Sequence, residues 1–376
     1  MRKLEKQVSD THQRVEAAIK AFAQGEIVVV TDDDDRENEG DLIVAAVHAT
    51  PEKLAFIIRN TSGIVCAPLT RAEARRLHLD PMVADNDSAH TTAFTVSVDY
   101  RHGTTTGISA EERCLTVRAL ATPTAGATDF ARPGHISPLI AREGGVLMRS
   151  GHTEAAVDLC RLAGLAEVGV ISELVNDDGT VMRGAQVAAF AARHGLKQVS
   201  VADLIAYRQR SEKLVTRVGE QTVETRAGPA RAFAFRTEWD PTEHLALVFG
   251  EIGDGRGVPV RLHRESVLDD VFKARSGLDA MVERLGRGGR GVIVFLREGS
   301  VGVAFSSERA RDRVPGAEAH GTADERDQTW RQIGLGAQIL KDLGVTSIRL
   351  LSTRARHYVG LEGFGIAIEA TDIIDG

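Results

Sequence analysis

The sequence predicts a two-domain α/β protein in which mixed β-sheets are flanked by helices in three layers. Its 376 residues exceed one ordinary domain, and 43% of them are apolar, which is enough to build two cores. Segments with helical spacing alternate with short apolar runs along most of the chain, whereas residues 209–228 are charged and poorly periodic. We therefore expect a first domain at residues 1–208, a linker at 209–228 and a second domain at 229–376.

The first predicted elements are a helix at residues 11–24 and a strand at residues 26–30. Apolar residues recur in the helix at positions i, i+3, i+4 and i+7, and Gly25 can end it in a left-handed conformation. The strand is an apolar run, and an acidic segment follows it directly.

Three further helices are predicted from the residues that begin them. Pro51 suits the first position of a helix that follows Thr50. Thr70 and Ser109 each precede a glutamate by three residues, which is the spacing of a capping box. The rest of this half is predicted to contain a helix at 151–164, a strand at 168–175, a helix at 187–193 and a last helix at 200–208.

The second half repeats the alternation. Strands are predicted near residues 232–235, 245–249, 258–262, 291–296 and 347–351, and helices near 270–285 and 330–343. Both halves are thus expected to be α/β.

Composition excludes several classes of protein. The formal net charge is −7 and no dense Lys/Arg stripe occurs, which argues against a nucleic-acid partner. The charged N-terminus and the lack of any apolar run near ~18 residues predict a cytoplasmic protein without membrane contact. Three widely spaced cysteines without a CxxC pair favour neither a disulfide framework nor a thiolate zinc site.

An acidic segment at residues 31–41 is the most informative feature of the chain. It places seven carboxylates within ten residues, interrupted by Arg36 and Gly40. A solvated acidic loop is one interpretation. The sharper hypothesis is a divalent cation held by oxygen ligands beside an arginine that binds phosphate, because such close carboxylates otherwise repel each other.

A second site is predicted at residues 149–153, where a glycine-containing turn leads into a helix. The helix N-terminus and Arg149 favour an anion, although a simple helix cap is the alternative. The helix dipole disfavours the cationic form of His152, so we expect a neutral imidazole that can bind a metal.

Two further residues suggest acid/base chemistry. His135 is expected in a loop after Pro133 and Gly134, and Glu173 lies on a predicted strand between apolar residues, where it would be desolvated. The alternatives are an inert loop histidine and a glutamate that points to solvent. Two proton-transferring groups and a metal together suit the enolisation of a sugar phosphate.

Six motifs carry a specific resemblance. They are DDDDRENEGDLI at 32–43, SGIVCAPL at 62–69, HGTTTGISAEER at 102–113, RPGHISPL at 132–139, RSGHTEAAVDL at 149–159 and ELVNDDGT at 173–180. In this order they resemble 3,4-dihydroxy-2-butanone 4-phosphate synthase of riboflavin biosynthesis. The resemblance implies conversion of ribulose 5-phosphate into 3,4-dihydroxy-2-butanone 4-phosphate and formate by a homodimer that uses Mg²⁺ and no organic cofactor. One carboxylate with one imidazole would also suit Mn²⁺.

The same resemblance implies residue roles. Glu37 and His152 would bind the metal, and His135 and Glu173 would be the acid/base residues. The substrate would contact Arg36, Asp41, Arg149, Ser150, Gly151 and Thr153, with Cys66 and Thr106 lining the pocket. Asp32 to Asp35 receive no role.

The second half resembles GTP cyclohydrolase II through VRLHRE at 260–265, GAQIL at 336–340, DLGV at 342–345 and GLEGFG at 360–365. The three zinc cysteines of that family are matched here by Ser266, Gly277 and Asp279, which leaves no thiolate. Further departures fall on Glu298 to Gly302, Thr329, Ile333 and His357, while Arg331 matches. We therefore expect neither zinc nor GTP ring opening, and a scaffold role.

Three alternatives remain open. The second domain could bind a nucleotide or partner as a sensing module, or it could retain some cyclohydrolase activity. The whole chain could also be a non-catalytic phosphate-binding protein, although such a protein would need only the anion site.

Overall fold

The computed structural model describes residues 2–32, 36–88, 91–272, 277–297, 334–352, 361 and 366–374. The chain divides into two compact units, Met1–Tyr207 and Arg208–Gly376. In the described residues each unit contains one mixed sheet of seven strands. The predicted two-domain α/β class with mixed sheets is confirmed.

The first unit alternates helices and strands. Its helices are α1 (Arg2–Ala23), α2 (Pro51–Asn60), α3 (Arg71–Arg76), α4 (Ala110–Leu120), α5 (His152–Leu162), α6 (Ala185–His194) and α7 (Val201–Ser211). Its strands are β1 (Val28–Thr31), β2 (Gly40–Ala45), β3 (Cys66–Leu69), β4 (Val98–Tyr100), β5 (Phe130–Ile140), β6 (Gly169–Glu173) and β7 (Lys197–Ser200). They are arranged β4-β5-β3-β6-β2-β1-β7.

Thr50, Thr70 and Ser109 begin helices as predicted, although the carboxylate of Glu73 accepts hydrogen bonds from Arg76 instead of completing a capping box. Thr50, Thr70 and Ser109 each accept a hydrogen bond from the backbone N–H three residues later, at 3.3, 3.2 and 3.1 Å. Two predictions in this half need correction: α1 begins at Arg2 rather than residue 11, and β2, β3, β4, β5 and β7 were not predicted. Except for β2 and β5, these strands have only three or four residues, too few for a period-2 pattern to be recognised.

Alternation along the central strands separates two apolar cores. Val29, Leu42 and Val44 face a core that includes α2, α4 and α6. Val30 and Ile43 face the opposite core, with α1, α5 and α7. The sheet is therefore the middle of three layers, because successive side chains of a strand point to opposite faces.

The second unit has the same layered plan. Its strands are β8 (Thr216–Thr225), β9 (Gly228–Arg236), β10 (His244–Phe249), β11 (Val258–Arg264), β12 (Gly291–Leu296), β13 (Ser347–Ser352) and β14 (Ala367–Ile373), in the order β14-β13-β11-β12-β10-β9-β8. Helix α8 (Gly277–Gly288) packs on one face and the helical residues 334–342 pack on the other.

Two further predictions about this unit are revised. The helix expected at 270–285 begins at Gly277, after a π-helical turn at Leu268–Phe272. The start of the helix expected at 330–343 lies outside the described residues, whereas β14 was not predicted at all.

The linker predicted at residues 209–228 is wrong. Strand β8 occupies most of it and pairs antiparallel with β9 at the edge of the second sheet. Most of its side chains are exposed, so apolar alternation is missing and the segment resembles a solvated connection. Its charged residues also suit an edge strand, where they discourage pairing with other chains.

None of the described helices is long and apolar enough to cross a lipid bilayer.

We expect two matched substitutions to differ in their effect on the free energy of unfolding of the first unit, because one residue packs against the layer formed by α1, α5 and α7 and the other is exposed. Ile43→Ala should destabilise the first unit by about 2–5 kcal/mol, because Ile43 is fully buried between the sheet and these helices. Ile64→Ala should change the free energy of unfolding by under about 0.5 kcal/mol, because Ile64 is 59% exposed. Urea unfolding measures both, and equal costs would contradict the layer assignment.

Candidate active site

Four chemically distinctive residues lie on one face of the first sheet. Asp41 on β2 pairs with Glu173 on β6. Two residues before Glu173, Ile171 pairs with Cys66 on β3. Cys66 pairs in turn with Ser137 on β5, two residues after His135. Because side chains alternate along strands, Asp41, Glu173, Cys66 and His135 share a face.

Helix α5 adds His152 to this face. The helix packs on the sheet through the core that contains Ile43 and Cys66, and His152 is its first residue. The Nδ1 atom of His152 lies 3.6 Å from Oδ1 of Asp41 and 3.7 Å from Oε2 of Glu37. Residues more than a hundred positions apart in the chain thus meet.

Asp32 organises the acidic segment. Its buried carboxylate accepts hydrogen bonds from the backbone N–H groups of Glu37 (3.0 Å) and Glu39 (2.9 Å) and from Nη1 of Arg36 (3.0 Å). The same Nη1 lies 2.8 Å from Oε2 of Glu37. Asp32 was left without a role, and the structure places it at the centre of the loop; residues 33–35 lie outside the described residues.

The donor set fits a divalent cation. Ligand atoms of Asp32, Glu37 and His152 lie within 4.8 Å of one another. In the described part of the chain, Nε2 of His152 and Oδ1 of Asp41 are buried and have no hydrogen-bond partner. Carboxylate oxygens with one imidazole suit Mg²⁺ or Mn²⁺, and three carboxylates exceed the charge that Arg36 neutralises.

The protonation of the buried pair differs from expectation. Burial raises the pKa of Asp41, and repulsion from Glu173 and Glu37 adds to the rise. Burial opposes the cationic form of His152, but the charge of Asp41, a hydrogen bond that His152 donates to the Glu37 carboxylate and the charge of Asp32 raise its pKa above the ordinary range. Among these residues alone, the carboxylates favour the protonated imidazole of His152, which differs from the neutral form that was expected.

His135 is held by a residue that sequence reasoning missed. Asp99 on β4 accepts hydrogen bonds from the backbone N–H of His135 (2.9 Å) and from its Nδ1 (2.7 Å). The expected loop around His135 is corrected to strand β5, which pairs with β4. The sequence feature that could have identified Asp99 is a carboxylate in the middle of a short strand.

Glu173 has a partner of its own. Its Oε2 accepts a hydrogen bond from Oγ of Ser62 (2.8 Å), and its backbone carbonyl accepts one from the N–H of Ser62 (2.8 Å). Glu173 is half-buried at the end of β6. This exposure is intermediate between the desolvated and the solvent-exposed environments that the sequence left open. Ser62, in the SGIVCAPL motif, fixes the orientation of the carboxylate.

The start of α5 is built from buried polar residues. Gly151 is the N-cap residue and supplies no side-chain cap. Arg149 donates to Oε2 of Glu154 (2.7 Å) and to Oγ1 of Thr92 (2.9 Å), so its guanidinium is fixed beside the first turn. Ser150 and Thr153 are buried beside it.

The two residues expected to line the pocket are placed differently. Burial raises the pKa of the Cys66 thiol, and the charges of Glu173 and Asp41 raise it further, which places Cys66 beside them as a neutral thiol. Thr106 lies in the loop before α4, where its Oγ1 is 3.4 Å from Oε2 of Glu112.

The chain is similar to known proteins over nearly all of its length. Residues 16–207 match the family model of 3,4-dihydroxy-2-butanone 4-phosphate synthase, and residues 216–372 match that of GTP cyclohydrolase II. The riboflavin biosynthesis protein RibBA of Salinispora arenicola is 48% identical over 373 residues, which is 95% of this chain and 88% of that protein.

Two solved structures are similar. RibBX, a two-domain 3,4-dihydroxy-2-butanone 4-phosphate synthase from A. baumannii, has a TM-score of 0.81 and 38% identity, covering 96% of this chain and 99% of its own. A synthase in complex with two magnesium ions has a TM-score of 0.51 and 48% identity, covering 52% of this chain and 97% of its own. The chain therefore belongs to the RibBA family, with a 3,4-dihydroxy-2-butanone 4-phosphate synthase domain followed by a GTP cyclohydrolase II domain.

Proposed function

We propose that the face shared by Asp41, Glu173, Cys66 and His135, under the first turn of α5, is the site of the synthase reaction. There D-ribulose 5-phosphate becomes L-3,4-dihydroxy-2-butanone 4-phosphate and formate, a step of riboflavin biosynthesis. The single observation that carries the assignment is the meeting of His152 with Asp41 and Glu37 at 3.6–3.7 Å on this face. The products contain every atom of the substrate, so no external oxidant is needed.

Glu37 and His152 hold the divalent cation, and Asp32 completes the donor set because its ligand atom lies within 4.8 Å of theirs. When bound, Mg²⁺ or Mn²⁺ stabilises negative charge on substrate oxygens as a Lewis acid. Arg36 bridges Asp32 and Glu37, which keeps the loop folded and leaves a cationic group for the substrate.

The substrate phosphate binds at the start of α5. Helix N-termini attract anions through their backbone N–H groups and dipole, and Arg149 adds a full charge held in place by Glu154. The residues that contact the substrate are Arg36, Asp41, Arg149, Ser150, Gly151 and Thr153, with Cys66 and Thr106 lining the pocket.

Glu173 and His135 transfer protons. Because Asp99 accepts from Nδ1 of His135, the proton that His135 gives or takes is exchanged at Nε2. The side chain of His135 is 40% exposed, which leaves that nitrogen accessible to a substrate. Ser62 holds Glu173 in one orientation, as a general acid or base requires.

The second unit serves as a scaffold without cyclohydrolase activity. All three cysteines of the chain lie in the first unit, and Ser266 stands where the first zinc cysteine is expected. The backbone N–H of Ser266 donates to Asp270 (2.8 Å), whose carboxylate also pairs with His263. The other predicted departures at Glu298 to Gly302, Thr329, Ile333 and His357, and the matching Arg331, lie outside the described residues.

The synthase domain is proposed to span residues 1–208 and to act as a homodimer, as the family resemblance implies. The second domain, first placed at residues 229–376, includes β8 as well, because β8 belongs to its sheet.

The purified full-length protein should release formate from D-ribulose 5-phosphate when Mg²⁺ or Mn²⁺ is present and stop when the ion is chelated. The reason is that the buried carboxylates would repel an anionic substrate unless a divalent cation compensates their charge. A formate assay before and after chelation and re-addition measures this. No formate with metal and substrate supplied would reject the synthase assignment.

Glu173→Gln should lower kcat by at least about a hundredfold, because it removes a proton-transferring group while preserving shape. Circular dichroism checks that the fold is retained. Glu143→Gln, an exposed carboxylate of the same unit, is the matched control and should keep normal activity. Retained turnover in Glu173→Gln would remove this residue from the mechanism.

The same preparation should neither consume GTP nor contain stoichiometric zinc, because the second unit has no cysteine to form the zinc site of a cyclohydrolase. Chromatographic measurement of GTP and elemental analysis of the metal test both points. One equivalent of tightly bound zinc, or GTP loss above the enzyme-free rate, would contradict the scaffold role.

A further inference from the structure

Glu112 is a buried carboxylate that the mechanism above does not use. It lies in the first turn of α4, and its two oxygens accept hydrogen bonds from the preceding loop. Oε1 accepts from the backbone N–H of Thr105 and from its Oγ1 (2.7 Å). Oε2 accepts from the N–H of Gly107 (3.0 Å) and from Oγ of Ser109 (3.3 Å).

These donors keep Glu112 ionised. The backbone and side-chain hydrogen bonds from Thr105, followed by those from Ser109 and Gly107, lower the pKa of Glu112 to about 2. A carboxylate in this state is a poor proton donor near neutral pH. Its evident effect is to fix the conformation of residues 105–107, the loop that also carries Thr106.

Gly107 connects this loop to Asp99. Gly107 has a φ of +84°, and a Cβ atom at this position would come within 2.0 Å of Oδ2 of Asp99. The loop backbone is therefore packed directly against the carboxylate that accepts from Nδ1 of His135. Moving the loop would open space beside Asp99 and release its orientation.

Strand β5 restricts the position of Asp99 from the side opposite to the loop. A Cβ at Gly134 would come within 2.0–2.4 Å of backbone atoms of Val98 and Asp99. Asp99 is thus held between the loop at Gly107 and strand β5 at Gly134, with both of its oxygens directed at His135.

We propose that Glu112 is a positioning residue for the synthase reaction: it fixes the loop at Gly107 against Asp99, which in turn orients His135. This inference rests on the proposed role of His135. In this role Glu112 makes no contact with the substrate. The glutamate three residues after Ser109 then orients the loop in addition to capping α4.

Glu112→Gln tests this inference, because the amide replaces one accepting oxygen with a donor that faces a backbone N–H. We expect kcat to fall about tenfold or more while the protein stays folded. Glu111→Gln is the matched control, since Glu111 is the exposed neighbour on the same turn, and it should leave kcat within about twofold of the wild type.

A spectroscopic readout separates positioning from simple destabilisation. In ¹⁵N-histidine spectra, the His135 signal is identified by its loss in His135→Gln. In the wild type it should show the Nδ1–H tautomer, and Asp99→Asn gives the signal of a released ring. Glu112→Gln should shift the signal toward that reference, and Glu111→Gln should not.

Unchanged kcat in Glu112→Gln, or reduced kcat with an unshifted His135 signal, would overturn the inference. If Glu112→Gln does not fold, Thr105→Val removes one hydroxyl donor and leaves Glu112 in place. It should give a smaller change of the same kind in both measurements, and no change would equally overturn the inference. A wild type that releases no formate would instead reject the proposed function, while the spectra still report on Glu112 and His135.

Discussion

The site depends on an imbalance of buried charge. Asp32, Glu37 and Asp41 converge on His152 at the start of α5, and within this group Arg36 is the permanent cation. Isolated buried carboxylates are costly, so such a group is stable only with a cation or with bound protons. The raised pKa values of Asp41 and His152 express the same demand. A divalent ion held by these residues, as proposed above, would meet this demand.

Strand register delivers these residues to one place. Asp41 lies opposite Glu173, and Cys66 lies opposite Ile171. These residues therefore lie on the same strands as the apolar residues that pack against α5. A slip of one residue in β2 would move Asp41 to the other face together with Ile43. Apolar burial and the geometry of the site are therefore set by a single register.

The second unit shows that fold and chemistry depend on different residues. Its apolar alternation along β10 to β13 builds a layered core, and no catalytic side chain is required for that. Ser266 matches the first zinc cysteine of GTP cyclohydrolase II by resemblance. Its backbone N–H donates to Asp270, whose carboxylate also pairs with His263. Such a core does not depend on which polar side chains the loops carry, because apolar burial supplies most of its stability.

Residues that are close together in the chain were enough to predict the helix starts at Thr70 and Ser109, the apolar periods, the acidic segment and the family resemblance. Contacts between distant parts of the chain place Asp32 beside Glu37 and His152, direct Asp99 at His135 and make β8 an edge strand rather than a linker. Caps involve backbone groups three residues away and leave a local pattern. Cross-strand pairs and the pKa of a buried group depend on charges and strands far along the chain, which no local pattern records.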